Sequence, residues 1–187
     1  MKKEIRLGEI VQFSLGKNLS RMDIDSDNVY SIEDFNNDLY GKTTENSMSM
    51  NKNMAGTLSV GDCIVSLTKS QAVIVSEYSC GKYISTNFLK CSFDKKEISP
   101  WFLCYLINED AEVSKQIRMN KQASNGFVTK LNSSTIAELV VSLPEIELQN
   151  QIGEMYRLIL LQERLRIEQT SNWKIFNMEL LKKIRNS

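Results

Sequence analysis

Lys115, Arg118 and Lys121 recur at intervals of three, and on a helix that spacing sets three cations along one face. The chemistry open to such a row is the holding of anions. Little else in the chain has the type and spacing of reactive machinery. Histidine is absent, which removes the commonest general base and metal ligand and excludes any serine or cysteine nucleophile activated by imidazole. The acids Asp23, Asp25, Asp27 and Asp94 stand in polar surroundings without a partner of opposite role and are read as solvated surface. Neither a G-x-x-x-x-G-K-[ST] phosphate loop nor a G-x-G-x-x-G fingerprint occurs. No catalytic constellation and no metal site emerge.

Lysine plus arginine equals aspartate plus glutamate, 23 against 23. That balance argues against a non-specific nucleic-acid coat and leaves room for a local basic face. With 187 residues, 42% of them hydrophobic and 25% charged, the chain suits one folded domain and an extension. No apolar run reaches the roughly 18 residues of a membrane span, and Met1-Lys2-Lys3 does not open a secretory signal, so no membrane association is expected. Cys63, Cys80, Cys91 and Cys104 form no C-x-x-C pair and sit in apolar runs, as free buried thiols of a reducing, cytoplasmic setting do.

The elements that must position these groups read as a sheet followed by helices. Residues 5–15 predict a first strand, and 29–32 a second. Residues 36–56, rich in Asn, Ser, Thr, Met and Lys, predict a long irregular stretch. Gly61-Asp62 turns into a strand at 63–67, Thr68-Lys69-Ser70-Gln71 connects it to 72–75, and 83–89 predicts a further strand. The result expected is a compact antiparallel or mixed sheet. Ser99-Pro100 reads as N-cap and first position of a helix whose apolar first half, 101–107, packs on the sheet and whose continuation runs from 113 to 121. A last strand is expected over 136–143.

From Pro144, read as a first-turn residue, to Ile184 there is no further proline and a single glycine, Gly153. A helix of about forty residues would be roughly 60 Å long. Ile152, Met155 and Ile159 step by three and four; Leu158, Leu161 and Leu165 do so one phase away; Trp173, Phe176, Leu180 and Ile184 resume the stripe after a polar interval. This interrupted heptad suggests a coiled-coil seam with a stutter or bend, the alternative being a helix folded back over its own domain. The fold class expected is α+β, with a β-rich domain over 1–142 and a long coiled-coil helix over 143–187.

The order of these features resembles a half-length specificity subunit of a type I restriction–modification system, in which a target-recognition domain precedes a long helix. Leu7-Gly8-Glu9-Ile10 is similar to the family's opening strand motif, Gly61-Asp62-Cys63-Ile64-Val65-Ser66 to its central Gly-Asp-apolar strand, and 99–106 to its Pro-aromatic-Leu helix. Residues 143–152, Leu-Pro-Glu-Ile-Glu-Leu-Gln-Asn-Gln-Ile, resemble its Leu-Pro-Pro-Leu-Glu-Glu-Gln-x-x-Ile junction. Glu145 replaces the second proline, Leu148 replaces an acid, and one recognition domain stands where full-length subunits have two.

The resemblance implies a non-catalytic subunit that reads double-stranded DNA and directs a methyltransferase subunit and a restriction subunit to a bipartite site. S-adenosylmethionine and ATP with Mg would belong to those partners. Lysine and arginine suit phosphates and guanine edges, asparagine and glutamine adenine edges. The candidate DNA contacts are therefore Lys17 and Arg21, Lys42, Lys69 and Gln71, and a last group of Lys115, Arg118, Lys121, Gln122, Asn125 and Lys130. For each, an ordinary solvated side chain is the competing reading. A homodimer would pair its long helices through Ile152, Met155, Ile159, Leu165, Trp173, Phe176, Leu180 and Ile184. The competing function is a protein-interaction adaptor, a small domain on a coiled-coil stalk with no DNA role.

Overall fold

Cys63-Ile64-Val65-Ser66 is β-branched and apolar, and all four residues are buried, which places this strand inside the sheet. The computed structural model describes residues 3–19, 24–40, 56–123 and 131–186, without the side chains of Lys3 and of residues 121–123. In order the elements are β1 (Lys3–Arg6), α1 (Leu7–Ile10), β2 (Val11–Leu15), α2 (Ile32–Leu39), β3 (Cys63–Ser66), β4 (Gln71–Ile74), β5 (Phe88–Phe93), α3 (Pro100–Asn108), α4 (Ala111–Ala123), α5 (Ser133–Ala137), β6 (Val140–Leu143) and α6 (Ile146–Arg185). The main sheet is antiparallel in the order β2-β5-β3-β4, and β1 pairs with β6 in a separate antiparallel ribbon. The α+β class expected from the sequence is the class observed.

The Gly-Asp motif before β3 has a local cause. Gly61 sits at φ +86, the left-handed region glycine enters without a Cβ penalty. Asp62 then accepts from the Ser59 amide at 2.8 Å and pairs with the Lys90 ammonium on β5. Both faces of this sheet are buried, and on one of them Phe88 meets the edge of the Tyr30 ring at 5.1 Å and stacks on Phe35 at 6.0 Å.

Several expectations need correction. The run 5–15 is two strands in different sheets, broken by the turn of α1, and β1 registers with β6 from Lys3↔Leu143 to Arg6↔Val140. Residues 29–32 are no strand: Val29 makes one bridge to Tyr83, and Ser31 caps α2. The Ser31 hydroxyl accepts from the Asp34 amide at 3.1 Å, and the Asp34 carboxylate accepts from the Ser31 amide at 2.8 Å. That box takes residues 36–39 out of the expected irregular stretch. The strand placed over 83–89 instead spans Phe88–Phe93, with Tyr83 in isolated bridges to Val29 and Thr57 and Ser85 in one to Lys17. Finally, 136–143 divides into the end of α5 and the strand β6, because Asn132 caps α5 through the Thr135 amide at 2.7 Å.

Ser99 and Pro100 take the N-cap and first-turn positions expected of them. Asp110 separates α3 from α4, its carboxylate accepting from the amides of Glu112 and Val113 at 3.0 Å. Pro144 lies one residue outside α6, whose N-cap is Glu145, so its role is to stop β6 and not to open the helix. Gln149, Gly153, Tyr156 and Leu160 are the buried residues of α6 and step by four, three and four along its face to α3. A Cβ at Gly153 would stand 2.8 Å from the Phe102 amide nitrogen, so the two helices cross in backbone contact there. Every residue from 165 to 186 is exposed, and that part of the rod is roughly 30 Å long. No described helix is long and apolar enough to cross a membrane.

Candidate nucleic-acid interface

The turn between β3 and β4 carries two of the candidate contacts. It closes tightly: the Ser70 amide donates to the Ser66 carbonyl at 2.8 Å, the Lys69 amide to the Ser66 hydroxyl at 3.2 Å, and Ser70 takes φ +58. Lys69 is exposed, yet its ammonium is directed by Asn36, whose side-chain oxygen accepts from it, and by the Phe35 ring 5.7 Å away. Gln71 follows as the first residue of β4, an edge strand.

Opposite the turn runs α4. Val113 and Ile117 anchor it in the core. Ala111, Ser114 and Arg118, on the neighbouring face, line an open cleft of about 480 Å³ together with Lys69, Ser70 and Gln71. The cleft's floor is Ile107 and Asn108 at the end of α3. Both charged groups of this lining, Lys69 and Arg118, are cations, and no carboxylate is among its described residues. Glutamine, serine and arginine donors around a cationic cleft can meet phosphate oxygens and base edges.

The structure thus brings together Lys69, Gln71 and Arg118, which lie far apart in sequence. Lys115 is exposed one turn before Arg118 on the same helix. Lys17 belongs elsewhere: its backbone bridges to Ser85, and its amide donates to the Ile84 carbonyl at 2.9 Å. Lys121 and Gln122 continue the backbone of α4, while Arg21, Lys42, Asn125 and Lys130 lie outside the described residues. Asn108, Ser70 and Ser114 were not anticipated. No local pattern marks them, since the cleft joins segments some forty residues apart.

A second, larger feature borders α6. Tyr105 of α3, its C-cap Glu109, and Leu148, Ile152, Met155 and Ile159 of α6 wall a groove of about 820 Å³. Of the residues expected in the helix seam, Ile152 is half-buried against the protein's own core, and Met155, Ile159, Leu165, Trp173, Phe176, Leu180 and Ile184 are exposed by 46–64%. The helix therefore does not fold back on its own domain beyond Arg164.

The three core thiols have no such setting. Cys63 faces Cys91 across the β3–β5 pair, Cys104 is fully buried, and burial together with the Cys63 thiol pushes the Cys91 and Cys104 thiols up. Among the described residues, no group of three or more His, Cys, Asp or Glu is arranged to hold a metal.

A small antiparallel sheet covered by helices carries the cationic cleft, and the long helix α6 runs on from it. Comparison with known proteins gives that architecture a place. No protein-family model matches the sequence, and no curated protein matches it. Among solved structures, the type I restriction–modification S subunit from M. genitalium matches with a TM-score of 0.60 at 16% identity, over 97% of this chain and 45% of its own. The HsdS subunit from Thermoanaerobacter tengcongensis matches with a TM-score of 0.53 at 14% identity, over 90% and 39%. A chain from a structure addressing complex assembly and conformational transition of the type I restriction–modification system matches with a TM-score of 0.58 at 13% identity, over 97% and 45%. The chain spans less than half the length of each. Its fold is that of a half-length portion of a type I specificity subunit.

Proposed function

We propose that the chain is a DNA-recognition subunit of a type I restriction–modification complex and carries out no catalytic step itself. The observation that carries this reading is the cleft that gathers Lys69, Gln71 and Arg118 without a carboxylate, on a fold shared with type I S subunits. In this reading the domain over 1–142 grips DNA, and the helix over 143–187 joins it to other chains. Two copies, joined through α6, read a bipartite, inverted site, because two-fold protein symmetry imposes two-fold symmetry on the half-sites. A methyltransferase subunit supplies S-adenosylmethionine chemistry, and a restriction subunit supplies ATP- and Mg-dependent cleavage. The setting is the cytoplasm.

The test is a mobility-shift series on a randomised duplex library, with the chain and its cognate methyltransferase subunit, over a range of salt. Recovery of one enriched, two-part sequence, with affinity falling as salt rises, supports the reading. Binding without sequence preference at every salt overturns it and leaves the adaptor.

A further inference from the structure

We propose that Gln116 is a positioning residue for Arg118. Its side-chain amide, closed on the backbone of Val140, sets the roll of α4 and with it the place of the Arg118 guanidinium in the cleft. The inference rests on the reading of that cleft as a DNA contact, and it names a residue that acts on the contact from outside the cleft lining.

Val140 opens β6 where its backbone groups turn away from β1. The Leu7 amide donates to the Leu139 carbonyl at 2.9 Å, one step from the pair Arg6↔Val140. Hydrogen-bonded and non-hydrogen-bonded pairs alternate along an antiparallel ladder, so the N–H and C=O of Val140 face the outer edge of the ribbon. Gln116 meets both. Its Oε1 accepts from the Val140 amide at 2.9 Å, and its Nε2 donates to the Val140 carbonyl at 2.8 Å. One side-chain amide thus stands where the peptide group of a further strand would stand.

These bonds lie at the surface, with Val140 41% exposed. Water replaces them when the glutamine is removed, so their contribution to global stability is small. What they fix is orientation. Val113 and Ile117 anchor α4 in the core one turn apart, along a single line parallel to the helix axis. Anchors on one line resist sliding and tilting better than they resist rocking about that line. With 3.6 residues per turn, Gln116 stands on one side of the line, and Ala111, Ser114 and Arg118 of the cleft lining stand on the other. A fixed point on the Gln116 side therefore stops the rocking that would carry Arg118 out of place.

The distances involved are small. A roll of about 10° moves a group roughly 6 Å from the axis by about 1 Å, enough to break a hydrogen bond to a phosphate oxygen. The fixed point is itself held, because β6 pairs with β1 from Lys3↔Leu143 to Arg6↔Val140 and leads through Pro144 into α6. The helical wall of the cleft is in this way set relative to the strand from which the rod departs.

The test uses the full chain with its cognate methyltransferase subunit and titrates a fluorescein-labelled duplex of mixed sequence at one low salt concentration. Gln116→Ala and Gln116→Met both remove the clamp; methionine keeps a stem of similar length and nearly the same helix propensity. Each is expected to lower affinity about fivefold while the urea midpoint stays close to the native one. In an Arg118→Ala background the same substitutions are expected to change affinity by less than about twofold, because the group they position is gone. A merely structural role would lower affinity equally in both backgrounds, and that result overturns the proposal, as does unchanged affinity in the native background. Hydrogen exchange reads the clamp without DNA. The Val140 amide should be protected in the native chain and exchange about tenfold faster in Gln116→Ala, and equal rates also overturn the proposal. Affinity unaffected by Arg118→Ala, with the Val140 amide still protected, overturns instead the DNA reading of the cleft on which the proposal rests.

Discussion

Asn108 donates to the phenol oxygen of Tyr156 at 2.9 Å, and these two side chains form the common wall of the cationic cleft and the α6 groove. The same Asn108 amide completes the edge of β4, accepting from the Ala72 amide at 2.6 Å and donating to the Ala72 carbonyl at 2.8 Å. One side chain thus ties the strand that begins with Gln71 to the long helix. Asn108→Ala would strand both backbone groups of Ala72 at a covered sheet edge and should destabilise by about 2–3 kcal/mol. Tyr156→Phe removes one bond whose donor keeps a second acceptor, and about 1 kcal/mol is expected. Urea unfolding of the two variants checks the order: an equal loss would mean that the strand edge gains nothing from Asn108.

Tyr156 also sets an alkaline limit. Burial, with lesser contributions from the Glu109 carboxylate and its neighbours, pushes the phenol up to about 12, against the opposing hydrogen bond from Asn108. A phenol harder to ionise in the folded than in the unfolded chain adds stability that is complete below pH of about 10 and is lost as pH rises toward about 12. The native protein should therefore lose stability more steeply than Tyr156→Phe above pH 10, and urea midpoints between pH 8 and 11 would show it. Parallel curves would assign the alkaline loss to other groups.

Gly153 sets two effects of opposite sign against each other. Alanine in place of a mid-helix glycine gains about 1 kcal/mol of helix propensity. Here the added Cβ would sit 2.8 Å from the Phe102 nitrogen and 2.9 Å from the Trp101 Cβ. Backbone cannot swing aside as a flexible side chain can, and overpacking of this kind costs about 1–3 kcal/mol. Gly153→Ala should come out destabilising by about 1 kcal/mol, and Gly153→Val by more. A stabilised alanine variant, read by thermal unfolding, would mean that α3 and α6 separate easily.

Much of this arrangement was legible in the sequence, and the rest failed for nameable reasons. The Gly61 turn, β3, β4, the Ser99-Pro100 start and the length of α6 each follow from local chemistry, and each was found. Ser31-x-x-Asp34 is also a local signal, and reading Val29 to Ile32 as a strand overlooked it. The break within 5–15 is different: nothing between Arg6 and Val11 announces that β1 will pair with β6, more than 130 residues away. Gln149 shows how a motif can be visible before its reason is. The glutamine of the Leu143–Ile152 stretch is 2% exposed, accepts from the Ser99 amide at 3.1 Å and donates to the carbonyls of Glu97 at 3.2 Å and Pro144 at 2.9 Å. It pins the start of α6 to the start of α3. The cleft gathers Lys69, Gln71 and Arg118 only through tertiary contact, which spacing along the chain does not encode.

The cleft makes a prediction in which the roles of its side chains separate. A cation that neutralises one phosphate releases about one counterion, so its loss lowers affinity for every sequence alike and flattens the dependence of log K on log salt by roughly one unit. Lys69 and Arg118 are the cations of the lining, and Lys69→Ala and Arg118→Ala should each show that flattening. Gln71 is uncharged, half-buried and fixed at the start of β4, so its amide can report on a base edge but contributes no counterion term. Gln71→Ala should leave the salt slope unchanged and cost about 1–3 kcal/mol on the preferred sequence alone. Asn36→Ala supplies the control for position: it removes the acceptor that directs the Lys69 ammonium while leaving every cleft charge in place. A smaller loss of affinity at an unchanged slope is expected there. If Lys69→Ala and Gln71→Ala behave alike in titrations at several salt concentrations, the turn between β3 and β4 does not enter the DNA groove, and the contacts must come from another face of the domain.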